Sequence, residues 1–273
     1  MIKEKTFNTG DIEINYAEGP ESGPPLILLH GFHDRWQRFL SIMPYLILQW
    51  HVFALDSRGH GKSGRTHGRY HSMDYFSDVT AFLKHRITEP AVLFGHSGNA
   101  LTSLYAASVV PEKVRAVIVG DMTFSLKQLG DIGMNEQRIT YWTKIKNLAG
   151  LQVSEIKSKI KGNTPPNQLL FESKTLSSLD PDVLEFHAQG RVHELFRDVE
   201  IDAILRKISC PVLLIQANQL KGALMSNSDV ELALSLNSNI SHEYIEETGH
   251  YLGLETWEVA PLLRTIHSFL ESL

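Results

Sequence analysis

The chain has 273 residues, of which 42% are hydrophobic and 21% charged, a balance that is typical of a folded globular protein and argues against disorder. Its formal charge of -5 and the lack of a basic cluster argue against a nucleic-acid partner. The single cysteine, Cys210, excludes an internal disulfide. Because we find neither an apolar signal core nor a run of about 18 apolar residues, we expect a cytoplasmic protein with no membrane partner.

Short apolar runs alternate with turn signals and helical patterns through the first third of the chain, which predicts β-α-β units in a mostly parallel sheet. Residues 12–16 alternate between apolar and polar, and this pattern predicts an antiparallel edge hairpin with one wet face. Near-continuous apolar runs then predict strands that are buried on both faces at residues 26–29, 52–55, 92–94 and 117–119.

The strand pattern is absent from residues 122–199, which instead predict helices separated by glycines and by Pro165-Pro166. It resumes at residues 211–215 and 240–245, and an amphipathic helix is predicted from 261 to 273. The sheet therefore brackets the helical segment. We predict one α/β domain with a core of residues 1–121 and 200–273 and a helical cap, or lid, of residues 122–199.

A serine lies at a predicted turn between a strand and a helix. Ser97 follows the strand pattern of residues 92–94 and precedes a helical pattern over 101–109. A serine hydroxyl is a weak nucleophile that needs an exposed position, an adjacent base and nearby N–H donors. Gly95 suits a tight turn, but Asn99 stands where this motif usually has a second glycine. In isolation the pattern also fits an ordinary turn serine.

Four segments in order along the chain resemble the α/β-hydrolase superfamily, in particular its lid-bearing serine esterase, lactonase, cofactor-free haloperoxidase and dehalogenase-like branch. They are His30-Gly31-Phe32, the glycine loop of residues 56–64, Gly95-His96-Ser97-Gly98 and Thr248-Gly249-His250. The resemblance implies a mostly parallel eight-stranded sheet flanked by helices, with a helical lid after the sixth strand.

The resemblance also implies roles for individual residues. Ser97 would be the nucleophile and His250 its base, while the backbone N–H groups of Phe32 and Gly98 would form the oxyanion hole. It implies no cofactor. We expect no metal either, because His67 and His71 lie in a glycine-containing loop that does not resemble a metal-binding helix face.

The acid that orients His250 has two candidate positions. Most family members carry an aspartate after the strand predicted at 211–215, where this chain has Asn218, which is either native or a substituted aspartate. Some relatives supply the acid before the lid, and Asp121 stands there. We favour Asp121, for which a turn or helix-cap role is the alternative. Asp229 is predicted to cap the helix that follows it.

The predicted activity is hydrolysis of a small, largely apolar carboxylic ester or lactone through an acyl-enzyme. Hydrolysis of a carbon–carbon bond, or haloperoxidase chemistry, would use the same residues, and a weakly active small-molecule receptor is the alternative from another class. The partner is thus a small molecule, and a homo-oligomer is possible. The aromatic residues proposed for the substrate pocket are His33, Trp36, Phe124, Trp142 and, beside the last, Tyr141.

Overall fold

The computed structural model describes residues 1–160, 162 and 164–273. Eight strands form one sheet in the order β1-β2-β4-β3-β5-β6-β7-β8. The first two strands are antiparallel to their neighbours and all the others run parallel. The predicted eight-stranded, mostly parallel sheet is therefore confirmed. The strands are β1 (Lys3–Asn8), β2 (Glu13–Glu18), β3 (Pro25–Leu29), β4 (His51–Leu55), β5 (Ala91–His96), β6 (Val114–Gly120), β7 (Val212–Ala217) and β8 (Ile240–Ile245).

Helices connect these strands and cover both faces of the sheet. The α-helices are α1 (Met43–Leu46), α2 (Ser72–His85), α3 (Gly98–Val109), α4 (Leu126–Gly133), α5 (Glu136–Leu148), α6 (Val153–Ile160), α7 (Pro166–Ser177), α8 (Glu185–Ala188), α9 (Ile201–Lys207), α10 (Asn227–Leu236) and α11 (Ala260–Glu271). Short 3-10 helices occupy Trp36–Ser41, Pro111–Lys113, Pro181–Leu184, Val192–Phe196 and Gln219–Lys221. None of the helices that the structure describes is long and apolar enough to cross a membrane.

The central strands are apolar at consecutive positions because each face of the sheet packs against a separate core. In β3, Ile27 and Leu29 belong to one core cluster, whereas Leu26 and Leu28 belong to the other. Alternate side chains of a strand point to opposite faces, so a strand covered on both sides needs apolar residues throughout. The last helix, α11, covers one face through the stripe Leu262, Ile266 and Leu270, spaced as an amphipathic helix requires.

The edge hairpin differs from its prediction. It is antiparallel as expected, but the exposed edge strand is β1, and β2 is buried at every position except Glu13 because it also pairs with β4. Of the two polar members of the alternating pattern, Glu13 is exposed and Asn15 is buried with a partner. Asn15 Nδ2 donates to Asp56 Oδ2 at 2.8 Å, and Glu18, at the end of β2, accepts from Arg86 at 2.9 Å. The polar side chains of β2 beyond Glu13 therefore take part in buried hydrogen bonds and do not form a solvated face.

The glycine loop of residues 56–64 is held by buried charges. The guanidinium of Arg58, 1% exposed, donates to both carboxylate oxygens of Asp78 on α2, at 2.7 and 2.8 Å, and to Asp11 at 3.0 Å. Hydrogen bonds and ion pairs with these carboxylates raise the pKa of Arg58. Gly61 adopts φ +54°, and a Cβ there would lie 2.1 Å from Asp56 Oδ2. These contacts give this motif a structural role.

Helices α4 to α8 lie between β6 and β7, within the segment that we predicted to be a lid. Several contacts attach this segment to the core. The Tyr70 hydroxyl donates to Asp180 Oδ2 at 2.6 Å, and the guanidinium of Arg38 lies 4.6 Å from the ring centre of Phe171 on α7. By contrast, α9 packs against α3 and α10 and therefore belongs with the sheet. The division into a core and a lid at residues 122–199 stays a prediction.

Candidate active site

The turn between β5 and α3 exposes Ser97. This serine has φ +56° and ψ -132°, a backbone conformation that is strained for any residue with a side chain. Close packing of strand and helix also requires Gly95, because a Cβ there would lie 2.3 Å from the carbonyl oxygen of Asn99. The chain therefore turns sharply at Ser97, at the carboxyl edge of the sheet where ligand sites of such folds occur.

His250 joins the serine to a carboxylate. Its Nε2 lies 3.0 Å from Ser97 Oγ, and its Nδ1 lies 2.6 Å from Asp121 Oδ2. His96 helps to hold the loop that carries His250, because its ring donates through Nε2 to the His250 carbonyl oxygen at 2.7 Å. Burial, together with the neighbouring His250, lowers the pKa of His96 to about 3, so its ring stays neutral. Ser97, His250 and Asp121 thus have the geometry of a hydrolytic triad.

Asp121 follows β6 directly and is fully buried, with φ +39°. Besides His250 it accepts two backbone hydrogen bonds, from the N–H of Leu224 at 2.8 Å and the N–H of Met225 at 3.1 Å. Donors of this kind stabilise the ionised carboxylate and fix its orientation. They come from the loop after β7, so this loop supports the acid without supplying it.

Asn218, the alternative position for the acid, has other partners. Its Oδ1 accepts from the N–H of Leu220 at 2.9 Å, and its Nδ2 donates to the carbonyl oxygen of Glu246 at 3.3 Å. It caps the 3-10 helix that follows β7. Asp229 lies inside α10, whose N-cap is Ser226, and completes a capping box in which its carboxylate accepts from Ser226 N–H at 2.8 Å. Of the two candidate positions, the structure brings Asp121 to His250.

The two segments that carry the expected oxyanion donors meet beside Ser97, because a Cβ on Gly31 would lie 3.1 Å from Ser97 Cβ and a Cβ on Gly98 would lie 2.3 Å from the Phe32 ring. Among the described residues, neither the Phe32 N–H nor the Gly98 N–H donates to a protein acceptor. His30 fixes the first of them, because its Nδ1–H donates to the Gly31 carbonyl oxygen at 2.8 Å while its Nε2 accepts from Ser57 N–H at 3.1 Å. In a trans peptide the N–H points away from the C=O, so this contact directs the Phe32 N–H away from His30.

Asn99 ties the elbow to the oxyanion loop. Its Nδ2 donates to the His30 carbonyl oxygen at 2.5 Å and to Ser57 Oγ at 2.9 Å, and its Oδ1 accepts from Thr102 Oγ1 at 2.9 Å. The amide is therefore fully used although it is buried. The residue that made the sequence motif incomplete is a structural link between two parts of the site.

A cavity of about 520 Å³ opens above Ser97, between the sheet and the inserted helices. His33 and Trp142 line it, as proposed, and so does Tyr141. Trp36 and Phe124 do not, and for these two the pocket assignment was wrong. The Trp36 ring packs into the core on one face of the sheet and donates through Nε1 to Glu4 at 2.8 Å. Phe124 packs into the opposite core. Aromatic composition does not reveal which way a side chain points.

Several cavity residues were missed by the sequence reasoning. The buried apolar wall of the cavity includes Met122, Leu129, Val192 and Phe196. Tyr251, the residue after His250, lies with its hydroxyl 3.2 Å from His33 Nε2. His187 on α8 contacts both Phe32 and Trp142, with ring centres 5.2 and 4.9 Å apart. No sequence signal distinguishes His187 from the other histidines of the chain, whereas Tyr251 adjoins a recognised motif.

Most charged residues of the cavity lie at its rim. Arg138, Lys221, Glu247 and Glu258 line the opening and are exposed, whereas Glu255 is half-buried. The inner histidines are uncharged, because burial lowers the pKa of His33 to about 4 and that of His187 to about 3. The histidines therefore bring no positive charge to the inner cavity, and the site suits a reaction in which negative charge develops at the two N–H donors.

One group of potential metal ligands occurs among the described residues, away from this site. Glu18, Glu21 and His51 could each offer one ligand atom near the sheet edge. Glu18 is already paired, with Lys5 at 2.6 Å and Arg86 at 2.9 Å. Cationic partners of this kind compete with a metal ion for the carboxylate oxygens. The group is better explained as an ion-pair network of the sheet edge.

Comparison with known proteins agrees with this architecture. A family model described as "alpha/beta hydrolase fold" matches residues 24–129. The chain is 23% identical to 2-(acetamidomethylene)succinate hydrolase of Mesorhizobium japonicum over 98% of this chain and 95% of that protein. It is 25% identical to 3-oxoadipate enol-lactonase 2 of Acinetobacter baylyi over 78% of each. The crystal structure of E-2-(acetamidomethylene)succinate hydrolase superposes with a TM-score of 0.77 at 20% identity, covering 99% of this chain and 100% of that one.

The sheet order, the strand-to-helix elbow and the matches over nearly the whole chain agree with one another. The chain has the α/β-hydrolase fold.

Proposed function

We propose that the protein is a serine hydrolase that cleaves a small, largely apolar carboxylic ester or lactone through an acyl-enzyme. One observation carries this proposal: His250 contacts both Ser97 Oγ and Asp121 Oδ2 beside two backbone N–H groups that have no acceptor in the described part of the chain. A hydroxyl, a base, an orienting carboxylate and oxyanion donors are the set that acyl transfer requires. The name of the enol-lactonase relative supports a lactone as one substrate class.

In the first half of the reaction Ser97 Oγ attacks the substrate carbonyl carbon, and His250 Nε2 takes the hydroxyl proton. The carbonyl oxygen becomes an oxyanion that accepts hydrogen bonds from the Phe32 and Gly98 N–H groups. Asp121 stabilises the imidazolium that forms. The tetrahedral intermediate then collapses, the bond from carbon to the leaving oxygen breaks, and His250 returns the proton to the departing alcohol.

The second half repeats these steps with water. His250 removes a proton from a water molecule that attacks the acyl carbon, and the bond from carbon to Ser97 Oγ breaks. The acid product leaves and Ser97 regains its proton from His250. In a lactone the alcohol and the acid belong to one molecule, so a single hydroxy acid is released. In this proposal residues 122–199 act as a lid that excludes bulk water from the acyl-enzyme.

The proposal is tested with p-nitrophenyl butyrate and a δ-lactone. We expect both to be hydrolysed by the purified protein, with loss of at least about a thousandfold in Ser97→Ala. Ser108→Ala is the matched control, because Ser108 lies on α3, the helix that Ser97 precedes, and among the described residues its hydroxyl bonds only the Tyr105 carbonyl oxygen, at 2.8 Å. This variant should retain activity within twofold. Turnover of neither substrate by the wild type would instead favour the receptor alternative, which the intact Ser97–His250 contact opposes.

A further inference from the structure

We infer that the inner end of the cavity is a subsite for an uncharged, hydrogen-bonding group of the substrate, such as a carboxamide, which binds against His187. The inference rests on the proposed function and deepens it. It names the class of substrate as an ester or lactone that carries a neutral polar group remote from the scissile carbonyl, and it excludes a carboxylate at that position.

The position of His187 carries the inference. The ring is 8% exposed and lines the cavity between Phe32, which belongs to the oxyanion loop, and Trp142 on α5. Among the described residues neither ring nitrogen has a hydrogen-bond partner, and Nδ1 is shut off from solvent. The ring therefore offers Nε2 to the cavity. Nδ1 cannot reach a ligand, so the nitrogen available to one is Nε2, which has no partner among the described residues and is not among the atoms shut off from solvent.

The surroundings select a neutral ligand. The wall beside His187 is apolar, with Phe196 and Val192 buried against the cavity. The cations of the cavity, Arg138 and Lys221, are exposed at its rim. The charge of Arg138 reaches His187, where it helps to lower the pKa of the ring, but its guanidinium is exposed and screened by water. A carboxylate beside His187 would thus lose its hydration for only a screened counter-charge, whereas a carboxamide or hydroxyl needs only one hydrogen bond. Burial also opposes protonation of His187, since it lowers the pKa of the ring.

Three p-nitrophenyl esters of equal chain length test this selection: the hexanoate, the adipic acid monoamide ester and the adipic acid monoester. They end in a methyl, a carboxamide and a carboxylate. We expect the wild type to prefer the carboxamide over the carboxylate by at least about thirtyfold in kcat/KM. A carboxylate ester that is hydrolysed as fast as the carboxamide would overturn the inference.

Variants of His187 assign the preference to this residue. His187→Phe keeps the aromatic contacts and should lower kcat/KM for the carboxamide ester about tenfold more than for the hexanoate. His187→Gln keeps a polar group and should recover part of the loss. The control is His193→Phe, because His193 lies in the same inserted segment and does not line the cavity. An equal loss for all three esters in His187→Phe would show a structural role only and contradict the subsite.

A binding measurement distinguishes the failure of this inference from the failure of the proposed function. The Ser97→Ala variant should bind the carboxamide ester at least about tenfold more tightly than the carboxylate ester by calorimetric titration. That difference should vanish when His187→Phe is added. If the wild type hydrolyses no ester but this pattern holds, the proposed function fails and the subsite stands. Equal binding of the two esters overturns the subsite, whatever the rates.

Discussion

His250 Nδ1 lies 2.6 Å from Asp121 Oδ2, across 129 positions of sequence. The carboxylate comes from the end of β6, before the inserted helices, and the loop after β7 contributes two backbone N–H donors to it. Asn218, at the end of β7, uses its side chain for a local cap. The acid and its support are therefore divided between two adjacent strands of one sheet edge.

The first prediction concerns these two positions. Asp121→Asn should lower kcat on p-nitrophenyl butyrate by about 10⁴-fold, because an amide cannot stabilise the imidazolium and favours the wrong tautomer of His250. Asn218→Asp should stay within threefold of the wild type. Steady-state kinetics of both variants, with circular dichroism to confirm folding, provide the measurement.

The double variant Asp121→Asn with Asn218→Asp supplies the decisive control. Since the Asn218 side chain contacts Leu220 and Glu246, a carboxylate there should not restore the rate. Recovery of activity in the double variant would show that position 218 can supply the acid and would contradict this prediction.

A second prediction concerns Asn99, which donates to the His30 carbonyl oxygen. Asn99→Asp places an acceptor against that carbonyl and should displace the oxyanion loop, lowering kcat by about a hundredfold with KM within threefold. Asn99→Gly should lower kcat about tenfold. The inhibition constant of a butyl boronic acid, whose bound form carries an oxygen at the oxyanion hole, should rise in each variant in proportion to the loss in kcat. If glycine at this position raises kcat, the linking role of Asn99 is wrong.

The sequence was most informative where one local pattern determines the structure. The strands at residues 26–29, 92–94 and 117–119 follow from continuous apolar runs, and Ser97 and His250 stand in short motifs at strand ends. Asp121 could be identified only by comparing the residues that follow two strands, β6 and β7, because its contact with His250 depends on tertiary packing. The pocket was the least predictable part, since His187 has no motif around it and the rings of Trp36 and Phe124 point into the cores.

The third prediction concerns stability in acid. His187 has a folded-state pKa of about 3, below the ordinary value of 6.5, so the unfolded chain binds more protons between these pH values. The contribution of neutral His187 to the free energy of unfolding should therefore be fully present above pH 6.5 and decrease as the pH drops towards 3. His187→Gln should reduce the slope by up to about 1.4 kcal/mol per pH unit. Urea denaturation at pH 7, 6 and 5 measures it. The control is His85→Gln at an exposed site, which should leave the slope unchanged; parallel curves for wild type and His187→Gln would refute the assignment.

The fourth prediction concerns the buried guanidinium of the glycine loop. Arg58→Met leaves the Asp78 carboxylate buried without its partner and should lower the free energy of unfolding by about 3–5 kcal/mol. Arg69→Met, at a side chain that is 53% exposed, should lower the free energy of unfolding far less, although Arg69 also pairs with Asp11. Chemical denaturation compares the two variants. Adding Asp78→Leu to Arg58→Met should recover part of the loss, and a double variant that is no more stable would contradict the unpaired-charge explanation.

The most direct test of the account is detection of the acyl-enzyme. The wild type is mixed with p-nitrophenyl butyrate, quenched with acid within milliseconds and analysed by intact-mass and peptide mass spectrometry. We predict the mass of one added butyryl group, located on the peptide that contains Ser97 and absent from Ser97→Ala. Turnover with the label on another residue, or labelling that persists in Ser97→Ala, would contradict the assignment of Ser97 as the nucleophile.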